Sequence, residues 1–69
     1  MKPTLREIRE QKGVKKGAVA AAMGVTYPTY QKYEEENAMP EKAYRAACEF
    51  LGMPENSIGA TIFLAKSLN

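Results

Sequence analysis

The chain has 69 residues and a mass of 7.6 kDa, room for one small domain and no second lobe. Hydrophobic residues make up 45% and charged residues 26%, the composition of a folded chain rather than a disordered one. With no His, no Asp and a single Cys, the inventory excludes histidine metal sites, four-cysteine zinc sites, Asp–His triads and intrachain disulfides. It also argues against a self-contained enzyme, because the usual general base near neutral pH is missing, and it calls for no cofactor.

The net charge of +2 hides an asymmetry: residues 1–33 sum to +5 and residues 34–69 to −3. A basic first half joined to an acidic second half suits a polyanion partner on one face, or simply a solvated surface of uneven charge. No apolar run approaches the roughly 20 residues that span a bilayer, and the opening residues lack the apolar core of a signal peptide. A lone Cys48 among alanines reads as a small core residue, and a reducing cytoplasm is the expected setting.

Taken in chain order, Pro and Gly cut the sequence into short segments whose apolar spacing is helical. The first opens on a capping box, Thr4 with Glu7, carries Leu5 and Ile8 on one face, and stops at Gly13. The second runs from about Lys16 to Met23, with Val19, Ala20 and Met23 inward and an alanine run, Ala18 to Ala22, that favours helix and close packing. Thr26 is a good N-cap for a third helix from Tyr27 to about Glu35, and Pro28 falls in its first turn, where the missing N–H costs nothing. Tyr30 and Tyr33 face inward, while Tyr27, Pro28, Gln31 and Lys32 point out. A fourth helix, about Glu41 to Leu51, places Tyr44, Ala47, Cys48 and Leu51 on one stripe and ends at Gly52. The spacing predicts a fifth helix over about 55–67, with Ile58, Ile62 and Ala65 on one stripe, Thr61, Leu64 and Leu68 beside it, and Phe63 outside both. A strand within Ala60 to Ala65, able to pair across a dimer, is the weaker alternative, since that stretch is β-branched and apolar. The expected fold is all-α: one compact domain of five short helices over residues 1–69.

The second and third segments hold an ordered set of residues that a helix-turn-helix needs. Ala20 is small where two helices cross, Gly24 turns the chain, Val25 plugs the corner and Tyr30 packs inward. With the run Leu5 to Gly13, Val19-Ala20, Met23-Gly24-Val25-Thr26, Tyr30 through Tyr33-Glu34, then Pro40 and Leu51-Gly52, the chain resembles the XRE-type helix-turn-helix family of phage repressors and Cro proteins. The likeness covers roughly residues 4–53, with the helix-turn-helix at about 16–34.

The resemblance implies a lambda-repressor-like five-helix domain whose third helix enters the major groove of duplex DNA. Carried over, the base-contacting positions are Tyr27, Pro28 and Lys32, with Thr29 and Gln31 flanking. Lys32 has the chemistry to donate to guanine O6 or N7, and Gln31 to pair with adenine. Tyr27 and Pro28 offer apolar contact to a thymine methyl, or else pack the helix start. Lys16, preceded by Lys15, falls where the family places a phosphate-binding side chain, and Thr26 is either a phosphate donor or only a cap. Arg9 and Glu34 match a structural ion pair that orients the third helix. Two features depart from the family: Glu35-Glu36-Asn37 stands where Asn and Gly usually follow the Glu, and Pro28 replaces a polar reader.

The partners implied are a DNA operator and a second copy of the chain, because one such domain contacts about half a site. The C-terminal helix, through Ile58, Ile62, Phe63 and Leu64, is the expected dimer surface, with purely internal packing as the alternative. A small Cro-like phage, prophage or plasmid repressor is the leading expectation. A protein-binding helix-turn-helix module such as an antitoxin is the rival.

Overall fold

The computed structural model describes residues 1–63. They form α1 (Leu5–Gln11), α2 (Lys16–Met23), α3 (Tyr27–Glu36), β1 (Ala38–Pro40), α4 (Glu41–Leu51) and β2 (Thr61–Phe63). The start of α1 is fixed by a reciprocal cap: Glu7 N donates to Thr4 Oγ1 at 3.2 Å and Thr4 N to Glu7 Oε1 at 2.9 Å. The start of α3 is capped by Thr26, whose Oγ1 accepts from Thr29 N at 3.4 Å. Gly24, at φ +75°, ends α2 in the left-handed region, which lets Val25 N return to Ala20 O at 3.0 Å and sets up the turn into α3.

The core joins one face of each helix. Leu5 and Ile8 of α1, Val19, Ala20 and Met23 of α2, and Tyr30 of α3 close on Ala43, Tyr44, Ala47, Cys48 and Leu51 of α4, with Met39 and Ile58 completing the set. Val19 and Ala47 are fully buried where α2 meets α4, and small side chains there allow the close approach. No helix among the described residues is long and apolar enough to cross a membrane.

The five-helix, all-α expectation is corrected by the C-terminal part. Residues 55–60 are turn, bend and irregular chain, and Thr61–Phe63 is a strand lying parallel to Ala38–Pro40, in the register Ala38↔Thr61, Met39↔Ile62 and Pro40↔Phe63. Parallel strands need a crossover, and α4 supplies it, making a small β-α-β unit. The physical reason is that the segment's backbone is spent on tertiary partners instead of a helical ladder. Tyr44 Oη donates to Ile58 O at 2.8 Å, Gly59 N donates to Pro3 O at 2.7 Å, and Thr61 N donates to Asn37 O at 2.9 Å. Asn56, at φ +70°, further breaks any helix begun after Pro54.

The expected dimer stripe falls apart with the helix. Ile58 is 3% exposed and belongs to the core of the single chain, whereas Ile62 is 39% exposed. The strand alternative holds for residues 61–63, but they pair within the chain rather than across a dimer. Leu64, Ala65 and Leu68 lie outside the described residues.

Candidate nucleic-acid interface

α2, the Gly24–Val25 turn and α3 form the helix-turn-helix, and the inward face of α3 is locked by a buried polar cluster. Glu34, 7% exposed, accepts from Arg9 Nε at 2.7 Å and from Tyr30 Oη at 2.6 Å. Arg9 Nη2 adds a longer contact of 3.5 Å to the other carboxylate oxygen, and Lys16 Nζ stands 4.0 Å from it. Arg9 Nη1 also donates to Val14 O at 2.8 Å. One carboxylate thereby ties α3 to α1 and to the loop that starts α2.

Burial alone would raise the Glu34 carboxyl. The hydrogen bonds from Arg9 and Tyr30, with the charges of Arg9 and Lys16, overcome it and hold the carboxyl below its ordinary range. The same bond to Glu34 raises the Arg9 guanidinium further. Burial, followed by donation to Glu34, pushes the Tyr30 phenol above its ordinary value.

The outward face is open. Tyr27 is 49% exposed, Pro28 and Lys32 are exposed, and Thr29 and Gln31 are half-buried. Glu35 and Glu36 extend this face as exposed carboxylates. Of the residues singled out for phosphate, Lys15 is exposed at the N-cap of α2 and makes no side-chain cap bond. Lys16 is half-buried, its ammonium shared with Glu34. The Thr26 hydroxyl is committed to the cap, donating to Thr29 Oγ1 at 2.9 Å. Arg6 lies 3.5 Å from Glu10 in an exposed pair.

Two residues outside the sequence-predicted site support α3 from behind. Tyr30 has a core role by spacing, yet its hydroxyl is the second donor to Glu34; the signal was an i, i+4 Tyr–Glu pair on the buried side of α3. Asn37 ends α3 at φ 52°, ψ 42°, and its side chain turns inward to donate to Gly59 O at 2.6 Å.

No curated protein and no solved structure matches the chain. A family model described as a helix-turn-helix domain matches residues 4–58, which takes in the four helices of the described residues and the cluster around Glu34. By that match, the chain belongs to the helix-turn-helix domain family.

Proposed function

We propose that this protein is a sequence-specific, double-stranded-DNA-binding transcriptional regulator, a small repressor of the Cro type that binds an operator as a homodimer. The observation that carries the reading is the division of α3: Tyr30 and Glu34 anchor one side while Tyr27, Pro28 and Lys32 stand exposed on the other. A helix held this way presents side chains to a groove without losing its own orientation.

Lys32 is the principal base reader, donating to a guanine edge, with Tyr27 and Pro28 making apolar contacts to a thymine methyl. Thr29 and Gln31, both half-buried, play flanking parts. Lys15 and Lys16 at the start of α2 contact phosphate, where the uncapped helix amides add a positive dipole, and Thr26 assists only by shaping the turn. Exposed Ile62 and Phe63 on β2, at 39% and 45%, are apolar surface suited to a second copy. Glu35 and Glu36 oppose the phosphates and keep affinity modest.

Binding to random duplex at two salt concentrations, with selection of preferred sites from the bound pool, tests this. The expected result is a palindromic site and an affinity that falls about 0.9 decade per decade of salt for each phosphate neutralised. Lys32→Ala is expected to cost about 1–3 kcal/mol at one base position and relax preference there, whereas Lys16→Ala weakens all duplexes alike. Absence of duplex binding at low salt overturns the reading and favours a protein partner. Equal loss on selected and random duplex for Lys32→Ala removes its role as reader.

A further inference from the structure

After α4 the chain returns across the molecule as a strap, residues 53–63, attached at both ends of the helix-turn-helix scaffold. Tyr44 Oη holds Ile58 through both backbone groups, donating to O at 2.8 Å and accepting from N at 3.3 Å. The next residue, Gly59, faces two ways. Its N–H donates to Pro3 O at 2.7 Å, just before α1, and its carbonyl accepts from Asn37 Nδ2 at 2.6 Å, where α3 ends. Asn37 O then accepts from Thr61 N at 2.9 Å. The junction is tight: a Cβ at position 59 would stand 3.0 Å from Lys2 O and 3.1 Å from Lys2 Cβ.

Asn37 joins the end of α3 to this junction. Its N–H closes α3 onto Glu34 O at 3.3 Å, and its carbonyl and Nδ2 both go to the strap. Oδ1 is buried with no donor among the described residues, so the direction of the amide is set by Gly59 O alone; reversed, two oxygens would face each other.

We propose that Asn37 is a positioning residue for the reading helix, and that it acts through the strap: how firmly the strap sits decides how sharply α3 discriminates between duplexes. The proposal rests on the DNA-reading role given to α3 above. Tyr30 and Glu34 hold the inward side of α3 along its middle, and an attachment beyond its C-terminal end narrows the residual tilt that this anchor leaves. From Glu34 back to Tyr27 the helix rises about 10 Å, so a tilt of about 6° moves Tyr27 by about 1 Å. Base-edge contacts need placement within about 0.5 Å, whereas long lysines follow a phosphate through such a shift. The Asn37–Gly59–Pro3 chain of bonds supplies that attachment, three residues beyond Glu34, and refers it to the start of α1.

Two variants test this from opposite sides. Asn37→Gly keeps the left-handed backbone and removes the amide; Gly59→Ala leaves α3 untouched and sets a Cβ 3.0 Å from Lys2 O, so that the strap and the segment before α1 must part by a few tenths of an ångström. Amide exchange at Thr61 reads strap docking, exchange at Ala47 reads the core, and the ratio of selected-site to random-duplex affinity reads discrimination. Both variants are expected to speed Thr61 exchange about tenfold, the equivalent of one lost hydrogen bond, with Ala47 unchanged. The affinity ratio is expected to fall about fivefold, with random-duplex affinity held within about twofold. Faster Thr61 exchange with an unmoved ratio overturns the positioning role while leaving DNA binding intact. Unchanged Thr61 exchange overturns the claim that these contacts hold the strap. Failure of the unmodified protein to bind any duplex overturns the DNA reading itself.

Discussion

The two faces of α3 are built by opposite rules. Inward, Tyr30 is fully buried and Glu34 nearly so, and the carboxylate between them takes donors from Arg9 and Tyr30 at 2.6–2.7 Å. Outward, Tyr27, Pro28 and Lys32 stand in solvent, and among the described residues their side chains make no hydrogen bond or ion pair. The inner face invests burial and charge in one orientation, and the outer face leaves its donors unspent. A surface that is to meet a variable partner must keep its polar groups free, which it can do only if something else holds the helix still.

The comparison breaks most decisively at Glu34. Glu34→Gln retains the shape but removes the buried counter-charge of the Arg9 guanidinium, leaving it only the exposed Glu10 carboxylate at 3.7 Å, and is expected to cost about 3–5 kcal/mol in chemical denaturation. A loss below about 1 kcal/mol would mean that the cluster is no anchor.

Titration sharpens the same contrast. The Glu34 carboxyl lies below its ordinary value in the folded chain, so its stabilisation is fully present above the unfolded value of about 4.3 and is lost as pH falls through the folded one. The Tyr30 phenol is raised, so its contribution is complete below about pH 10 and declines as pH rises beyond that. Stability measured against pH is expected to fall at both ends, with the acid limb flattened in Glu34→Gln. Tyr44, raised by its burial, shares the alkaline limb. Tyr30→Phe follows at about 1.5–3 kcal/mol, the worth of a hydrogen bond to a charged group, and thermal unfolding reads it. At the small end, Lys32→Ala on the open face is expected to leave stability within about 0.5 kcal/mol, so that its effect is confined to binding.

Much of the helical part is legible from residue order alone. The bounds Lys16–Met23 and Glu41–Leu51 follow from apolar spacing between glycine and proline stops, and α3 runs one residue past its expected end to Glu36 because Asn37 carries the left-handed turn. The C-terminal part is not legible in the same way. Ile58 and Ile62 are four apart and fit a helical stripe; what makes them a core residue and an exposed strand residue is the capture of the segment's backbone at Ile58, Gly59 and Thr61 by Tyr44, Pro3 and Asn37, all distant in sequence. Pro54, Asn56 and the run Thr61-Ile62-Phe63 were the local signs against a helix. At the site, the Arg9–Glu34 pairing comes from family resemblance rather than spacing, and nothing in the sequence places Lys16 within 4.0 Å of the same carboxylate.

The parallel pairing of Ala38 with Thr61 also orders events in time. Each of the four helices nucleates on neighbouring residues, whereas this pairing closes a loop that contains all of α4, a chain-entropy cost met only after α4 is in place. Refolding is therefore expected to complete the helical core first and zip β2 onto β1 last. On that order, the helix-turn-helix is assembled before the far end of α3 is clasped, and an amide-exchange pulse during refolding is expected to protect Ala47 before Thr61.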